Sequence, residues 1–342
     1  MPNQILTDAI DRLASRQDLS TDEAAAVMLE MMEGRASDVQ SAAFLIALRT
    51  KGETVEEVTG MARTMRELAR HVEAGGDDLL DTAGTGGGRP TFNVSTTAAI
   101  VAAGAGCRVA KHGARSSTGS SGSADVLEAL GARIDLGPEA VAECIEEIGF
   151  GFMFAPAHHA ATRHVVPVRK ELAVRTLFNF LGPLTNPAGA QRQVIGVSAM
   201  DHVGTIARAL ANLGCRSGLV VSSEDGLDEI SVSGRTRVIE VREGKIEDYV
   251  VTPEELGVEA APPESLRAGT PAANAEVTRA VLGGRDGPER SLTLLNAGAA
   301  IYVGGRAGSI ADGVRIAEQA IDTGAAVDVL ERFVARTREL AA

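Results

Sequence analysis

The stretch Asp81-Thr82-Ala83-Gly84-Thr85-Gly86-Gly87-Gly88-Arg89-Pro90-Thr91-Phe92-Asn93-Val94-Ser95-Thr96 places an acid near the end of a short apolar run. Glycines follow it, then a Ser/Thr/Asn cluster that opens a helix-like segment. That order lets a backbone approach a phosphate closely, with its N–H groups turned toward the anion. Lys111-His112-Gly113-Ala114-Arg115-Ser116-Ser117 adds a lysine, an arginine and hydroxyls to what should be the same rim. Together the two stretches predict a cradle for a ligand carrying several phosphates, a polyphosphate ester. Taken alone, the glycines also fit a tight strand-to-helix turn. They form neither a Walker loop, lacking Gly-Lys-Ser/Thr, nor a spaced dinucleotide fingerprint, so nucleotide hydrolysis is not indicated.

Four further groups carry possible chemistry. The run Ser116-Ser117-Thr118-Gly119-Ser120-Ser121-Gly122-Ser123 could wrap a diphosphate with hydroxyls and amides, or be an ordinary solvated loop. His112 by itself is more often a structural, hydrogen-bonded histidine than an acid or base, but its neighbours favour a role in the site. Leu227-Asp228-Glu229 puts two adjacent carboxylates past the strand Leu219 to Ser222, at the strand end where α/β proteins keep ligands. Adjacent acids are usually surface charge. If these face the cradle, Mg²⁺ explains them, because that ion takes one or two carboxylates together with phosphate oxygens and water. Arg169, in Val165-Val166-Pro167-Val168-Arg169-Lys170, offers a planar fork suited to a carboxylate.

The elements that must position these groups change in texture along the chain. Ser20 with Glu23, Ser37 with Gln40, and Thr54 with Glu57 are three capping-box pairs ahead of apolar helical patterns, so the first 70 or so residues read as all-α. The middle helix, around Ala42 to Leu48, is apolar nearly all round and is either a bundle core or a subunit contact. From Leu79 short β-branched runs alternate with Ala-rich helices, the pattern of βα units around a mainly parallel sheet. Expected strands are Arg108 to Ala110, Gly151 to Phe154, Val194 to Val197 and Leu219 to Ser222. Expected helices are Ser123 to Leu130, Pro138 to Ile148 and Val203 to Leu213. Arg237 to Val241 and Asp248 to Val251 read as a solvent-facing hairpin, Glu259 to Ala273 as a surface loop, and the tail from Ser309 as an amphipathic helix.

Composition removes other function classes. A net charge of -13 repels nucleic acid and anionic membranes, and 3% aromatic residues with no Trp leave no base-stacking platform. No apolar run approaches the roughly 20 residues of a membrane span, and no charged-then-apolar leader opens the chain. Cys107, Cys144 and Cys215 lack metal-ligand spacing and read as buried reduced thiols, which implies a cytoplasmic protein.

In this order the motifs resemble the anthranilate phosphoribosyltransferase family. They are Gly84-Thr85-Gly86-Gly87, Asn93 to Thr96, Lys111-His112-Gly113, Gly122 to Gly131, Leu181-Gly182-Pro183-Leu184-Thr185-Asn186-Pro187 and Gly226 to Glu229. That family joins anthranilate to 5-phosphoribosyl 1-diphosphate with loss of diphosphate, the second step from chorismate to tryptophan. The resemblance covers essentially the whole chain. It implies an α/β fold of the nucleoside phosphorylase/phosphoribosyltransferase type: a small N-terminal all-α domain over 1–72, with a helical contribution from about 165–188, and an α/β domain over 73–342. It also implies a homodimer formed through the helical domain.

Carried over by position, the resemblance assigns Gly84, Gly87, Gly88, Thr91, Asn93, Val94, Ser95 and Thr96 to the phosphoribosyl diphosphate site. Lys111, His112, Gly113, Ala114, Arg115, Ser116, Ser117, Thr118, Gly119 and Ser123 complete that site. Gly84, Ala114, Arg169 and Pro183 would face anthranilate, His112 and Arg169 would act in catalysis, and Ser95, Asp228 and Glu229 would hold Mg²⁺ as two ions. The chain departs from the family pattern at three places. Gly88-Arg89-Pro90-Thr91 is one residue shorter and lacks an acid, Ala114 replaces an asparagine, and His159-Ala160-Ala161-Thr162 replaces His-Pro-Ala-Met. A related phosphoribosyltransferase or phosphorylase acting on another aromatic amine or a nucleobase is the alternative that these departures raise.

Overall fold

The structure, a computed structural model, describes residues 2–116 and 120–341. It begins with four helices, α1 (Gln4–Ala14), α2 (Thr21–Met32), α3 (Asp38–Lys51) and α4 (Val55–Glu67). Ser20 and Thr54 form complete capping boxes with Glu23 and Glu57. The third expected box is only half formed. Ser37 Oγ accepts from the Gln40 amide, but the Gln40 side chain turns to Asn3, accepting from its N–H at 3.0 Å and donating to its carbonyl at 2.9 Å. Gln40 therefore ties α3 to α1, whose own N-cap, Asn3, the sequence reading did not name. The apolar run of α3 is split: Phe44, Leu45 and Leu48 are buried, whereas Val39 is 78% and Ile46 37% exposed.

The α/β part follows as β1 (Leu79–Gly84), α5 (Val94–Gly104), β2 (Arg108–Gly113), α6 (Ser123–Ala129), α7 (Pro138–Ile148) and β3 (Phe150–Phe154). The short helices α8 (Ala155–His158), α9 (Val166–Leu172) and α10 (Phe178–Leu181) lead back to β4 (Arg192–Gly196), α11 (Val203–Asn212) and β5 (Ser217–Ser223). The hairpin β6 (Thr236–Arg242) and β7 (Lys245–Val251) precedes four helices, α12 (Pro271–Leu282), α13 (Pro288–Val303), α14 (Ile310–Asp322) and α15 (Ala325–Leu340).

The seven strands make one sheet in the order β3-β2-β1-β4-β5-β6-β7, parallel from β3 to β5 and antiparallel beyond. Side chains alternate across it. Val194, Leu219 and Val221 join the core beneath α5, α13 and α15, while Ile195, Val197 and Val220 join the core shared by α1 to α4, α11 and residues 165–184. The helical segment thus packs continuously onto one face. From β1 the chain winds outward to β2 and β3, then returns to start β4 on the other side of β1. The topological switch point lies between β1 and β4, where Gly84 is in register with Gly196.

Three expectations are corrected. The hairpin is not wholly solvent-facing: Val238, Ile239 and Val241 are buried, so only β7 is exposed, and the turn is the two residues Glu243-Gly244 with φ of 48° and 80°. Residues 271–273 belong to α12 rather than to a loop. The tail is two helices, broken at Gly324, whose φ of 80° a helix cannot continue.

Candidate active site

β1 ends at Gly84, and the glycine loop that follows lies on the turn after β5. The Gly86 amide donates to Asp228 Oδ2 at 2.9 Å and the Arg89 amide to the Gly226 carbonyl at 2.8 Å. A Cβ at Gly84 would sit 2.7 Å from Asp228 Oδ2. One at Gly88 would sit 2.7 Å from the Gly226 carbonyl and 2.9 Å from Asp228 Oδ1, so only glycine permits this approach. Gly87, with φ of 77°, has the Arg175 guanidinium where a side chain would go. Both terminal nitrogens of Arg175 donate to the Gly86 carbonyl, at 3.1 and 3.0 Å, beside Ser198 Oγ at 2.8 Å. Arg175 and Ser198 were not singled out from sequence. Their shared partner lies 89 and 112 positions away, and no local spacing marks them.

The next helix, α5, has Asn93 at its N-cap, yet the Asn93 side chain makes no capping bond. Its amide donates to the Ser121 carbonyl and its oxygen accepts from Ser121 Oγ and Asn274 Nδ2, which fixes the 120–123 segment and α12 against α5. The Val94 amide donates to the Phe92 carbonyl at 2.8 Å and the Ser95 amide serves Glu229, so the α5 terminus, which has no side-chain cap, offers an anion the Thr96 amide and the positive end of the helix dipole. Thr91 Oγ1 and Thr96 Oγ1 are buried without a hydrogen-bond partner among the described residues.

The basic residues are placed differently from the sequence expectation. Lys111 is not on the rim: it is fully buried under the loop, with Nζ 2.5 Å from the Thr82 carbonyl and 3.5 Å from Ser95 Oγ. Burial lowers its pKa, against the pull of Asp81 and Glu229. Arg115 turns to α6 and pairs with Asp125 at 2.9 Å and Glu128 at 2.5 Å. Arg89 faces away from the loop and pairs with Asp225 at 2.9 Å. The Ser116 amide donates to Asp125 Oδ2, as does that of Gly122 just before Ser123, which opens α6. Gly113 ends β2 against Ser123 and Phe152, leaving no room for a larger residue. Ala114 is exposed beside it. Ser117, Thr118 and Gly119 lie outside the described residues.

On the other wall, His112 donates from Nδ1 to the Gly182 carbonyl at 3.2 Å, because a carbonyl can only accept. Its Nε2 is then a free acceptor, buried without a partner among the described residues. Burial, with His159 5.1 Å away ring to ring, holds the imidazole well below its ordinary pKa and neutral. Gly182 leads into the buried Pro183, whose carbonyl accepts from Gln193 Nε2. Asn186 bridges Asp81 Oδ2 and the Ala110 carbonyl, both at 2.8 Å, and so locks this turn to β1 and β2. Arg169, on α9, lies 5.2 Å from the Phe178 ring centre and has no ion-pair partner among the described residues. Burial lowers its pKa.

Asp228 and Glu229 fit a hard cation. Burial raises both carboxyls, and the Asp228 charge adds to the effect on Glu229, which reaches about 8. This is an oxygen-only pair, opposed by Arg175 and the Gly86 amide at Asp228 and by Lys111 and the Ser95 amide at Glu229, and Ser95 lies on the facing element. Among the described residues there is no set of three His, Cys, Asp or Glu that could cage a metal. An ion here would take its remaining ligands from phosphate and water, the habit of Mg²⁺. The Asn296 side chain clamps Ile230, accepting from its N–H at 2.9 Å and donating to its carbonyl at 3.0 Å, and so fixes the backbone next to Glu229.

A switch-point anion cradle facing a carboxylate pair, under a helical bundle, defines a two-part glycosyltransferase. Residues 7–69 match the helical bundle domain of the glycosyl transferase family and residues 76–327 its a/b domain. The chain is 52% identical to the anthranilate phosphoribosyltransferase of Rubrobacter xylanophilus over 98% of this chain and 99% of that one. It is 50% identical to that of Thioalkalivibrio sulfidiphilus over 97% and 98%. The Thermus thermophilus enzyme superposes with a TM-score of 0.92 at 46% identity, over 97% of this chain and 99% of that one. The Saccharomyces cerevisiae enzyme in complex with PRPP and Mg superposes with a TM-score of 0.89 at 28% identity, over 98% of each chain. The chain belongs to the anthranilate phosphoribosyltransferase family.

Proposed function

We propose that this chain transfers the phosphoribosyl group of 5-phosphoribosyl 1-diphosphate (PRPP) to the amine of anthranilate, releasing diphosphate, as the second step from chorismate to tryptophan. The observation that carries the reading is the Gly86–Asp228 contact, which puts an amide-rich loop and the α5 N-terminus against a carboxylate pair. The yeast relative's complexes with PRPP and Mg, and with 4-fluoroanthranilate, support it.

The Gly87 and Gly88 amides and the α5 terminus would take the diphosphate, while Asp228, Glu229 and Ser95 would hold Mg²⁺, as two ions. Bound there, Mg²⁺ offsets the charge that develops on the departing diphosphate. Arg169, cationic and with no carboxylate partner among the described residues, receives the anthranilate carboxylate and orients the amine. His112, kept neutral and fixed through Gly182, offers Nε2 as a hydrogen-bond acceptor for that amine, and Pro183 forms the wall beside it. Little covalent work is asked of the protein. Its contribution is positioning and charge.

Residues 1–72, with 165–188, act as the helical domain that closes this wall over the α/β domain. The exposed Val39, Ile5 and Ile46 support a homodimer through that domain, with a second copy covering them. Three free, buried cysteines support a cytoplasmic setting.

One observation favours a second reading. Ala114 presents no polar side-chain atom to an acceptor, which suits another aromatic amine or a nucleobase. The test is anthranilate fluorescence with PRPP, Mg²⁺ and a downstream isomerase. Enzyme-dependent loss of signal establishes the first reading. A constant signal with PRPP binding intact by calorimetry establishes the second.

A further inference from the structure

The glycine loop and the turn bearing Asp228-Glu229 are far apart in sequence, yet a side-chain ion pair joins them across 136 positions. Arg89 Nη2 lies 2.9 Å from Asp225 Oδ2, and Arg89 Nη1 donates to the Pro263 carbonyl at 2.8 Å. The pair is mostly covered, with side-chain exposures of 24% and 14%. Asp225 is in turn the hub of its own turn. Its Oδ1 accepts from Ser223 Oγ at 2.5 Å and the Leu227 amide at 3.3 Å, and its Oδ2 accepts from Ser231 Oγ at 2.7 Å. Asp228 and Glu229 lie within the 223–231 segment that these bonds hold. The Arg89 backbone amide adds its bond to Gly226, so one residue grips the turn through both main chain and side chain.

We propose that Arg89 and Asp225 form a clasp that fixes the glycine loop on the carboxylate-bearing turn and makes Arg89 a positioning residue for the phosphorylated donor. The inference rests on PRPP being that donor. Both terminal nitrogens of Arg89 are engaged by protein oxygens, so its effect reaches the ligand through the loop amides and the carboxylates, not by contact. A loop released from Asp225 would lose the alignment of the Gly86 amide on Asp228. Donor binding and the Mg²⁺ requirement would then weaken together, while the Arg169 wall stays as it is.

The test is calorimetry of PRPP binding in the presence of Mg²⁺, with steady-state kinetics, on wild type, Arg89→Ala, Arg89→Lys, Asp225→Asn and the Arg89→Ala/Asp225→Asn pair. Thermal melts identify any variant that has not folded. The clasp predicts that Arg89→Ala raises the PRPP Kd about tenfold, the scale of one lost charged hydrogen bond. The Mg²⁺ concentration for half-maximal rate should rise with it, and the KM for anthranilate should stay within about twofold. Arg89→Lys, which keeps the charge but cannot reach both partners, should recover part of the loss, and the double variant should bind no worse than the weaker single. Unchanged PRPP affinity in Arg89→Ala, an equal rise in the anthranilate KM, or additive losses would overturn the clasp alone. Absence of PRPP binding by the wild type would overturn the donor assignment and the clasp with it.

Discussion

The Gly86 amide donates to Asp228 Oδ2 at 2.9 Å across 142 positions of sequence, and this bond joins the anion cradle to the metal-ready carboxylates. Asp228 is nearly isosteric with asparagine, and an amide oxygen in its place can still accept from Gly86 but carries no charge. Asp228→Asn should therefore keep its melting temperature and circular dichroism while losing at least about 100-fold in Mg²⁺-dependent turnover. Full activity in the variant would remove Asp228 from the metal site.

Arg169, proposed to receive the anthranilate carboxylate, pairs with no carboxylate among the described residues. Arg169→Gln keeps much of its bulk but removes the charged fork. The KM for anthranilate should rise by about 10- to 100-fold, the worth of a charge-assisted hydrogen bond, with the KM for PRPP nearly constant. Steady-state kinetics with each substrate varied in turn separates the two.

Ala114 is exposed at the end of β2, so a longer side chain meets no packing obstacle. If the missing amide weakens acceptor binding, Ala114→Asn should lower the anthranilate KM by about threefold or more while leaving that of PRPP unchanged. An unchanged or higher value would show that the acceptor is held without this position.

His112, His158 and His159 are all kept neutral chiefly by burial, and His159 falls to about 4 from an ordinary 6.5. Between those values the unfolded chain binds protons that the folded chain refuses. The stabilisation is thus complete above about pH 6.5 and is lost as the pH falls toward 4. His159 alone should account for about 3 kcal/mol. Urea unfolding at about pH 7.5 and about pH 5 should show the loss, and His159→Gln should flatten it. A flat profile in the wild type would contradict the burial of these rings.

The sequence exposed those parts of the site that need special backbone. Glycines at 84, 87 and 88 are required because Asp228, Arg175 and Gly226 crowd them, and such a requirement leaves a local trace. The carboxylate pair was legible from its place after a strand. Arg175 and Asn296 were not, because their partners, Gly86 and Ile230, lie 89 and 66 positions away. Lys111 was expected on the rim, but strand alternation turns it inward beneath α5. Arg115 was expected to face the ligand, but Asp125 and Glu128 claim it. Helix α13 gave no amphipathic signal, since Leu292 to Ile301 are buried on every side.

The most direct measurement is a crystal structure with PRPP, Mg²⁺ and an anthranilate analogue bound together. The account predicts diphosphate on the Gly87 and Gly88 amides and the α5 terminus, metal on Asp228 and Glu229, and the analogue's carboxylate on Arg169. Diphosphate seated away from the glycine loop, or metal held without either carboxylate, would contradict it.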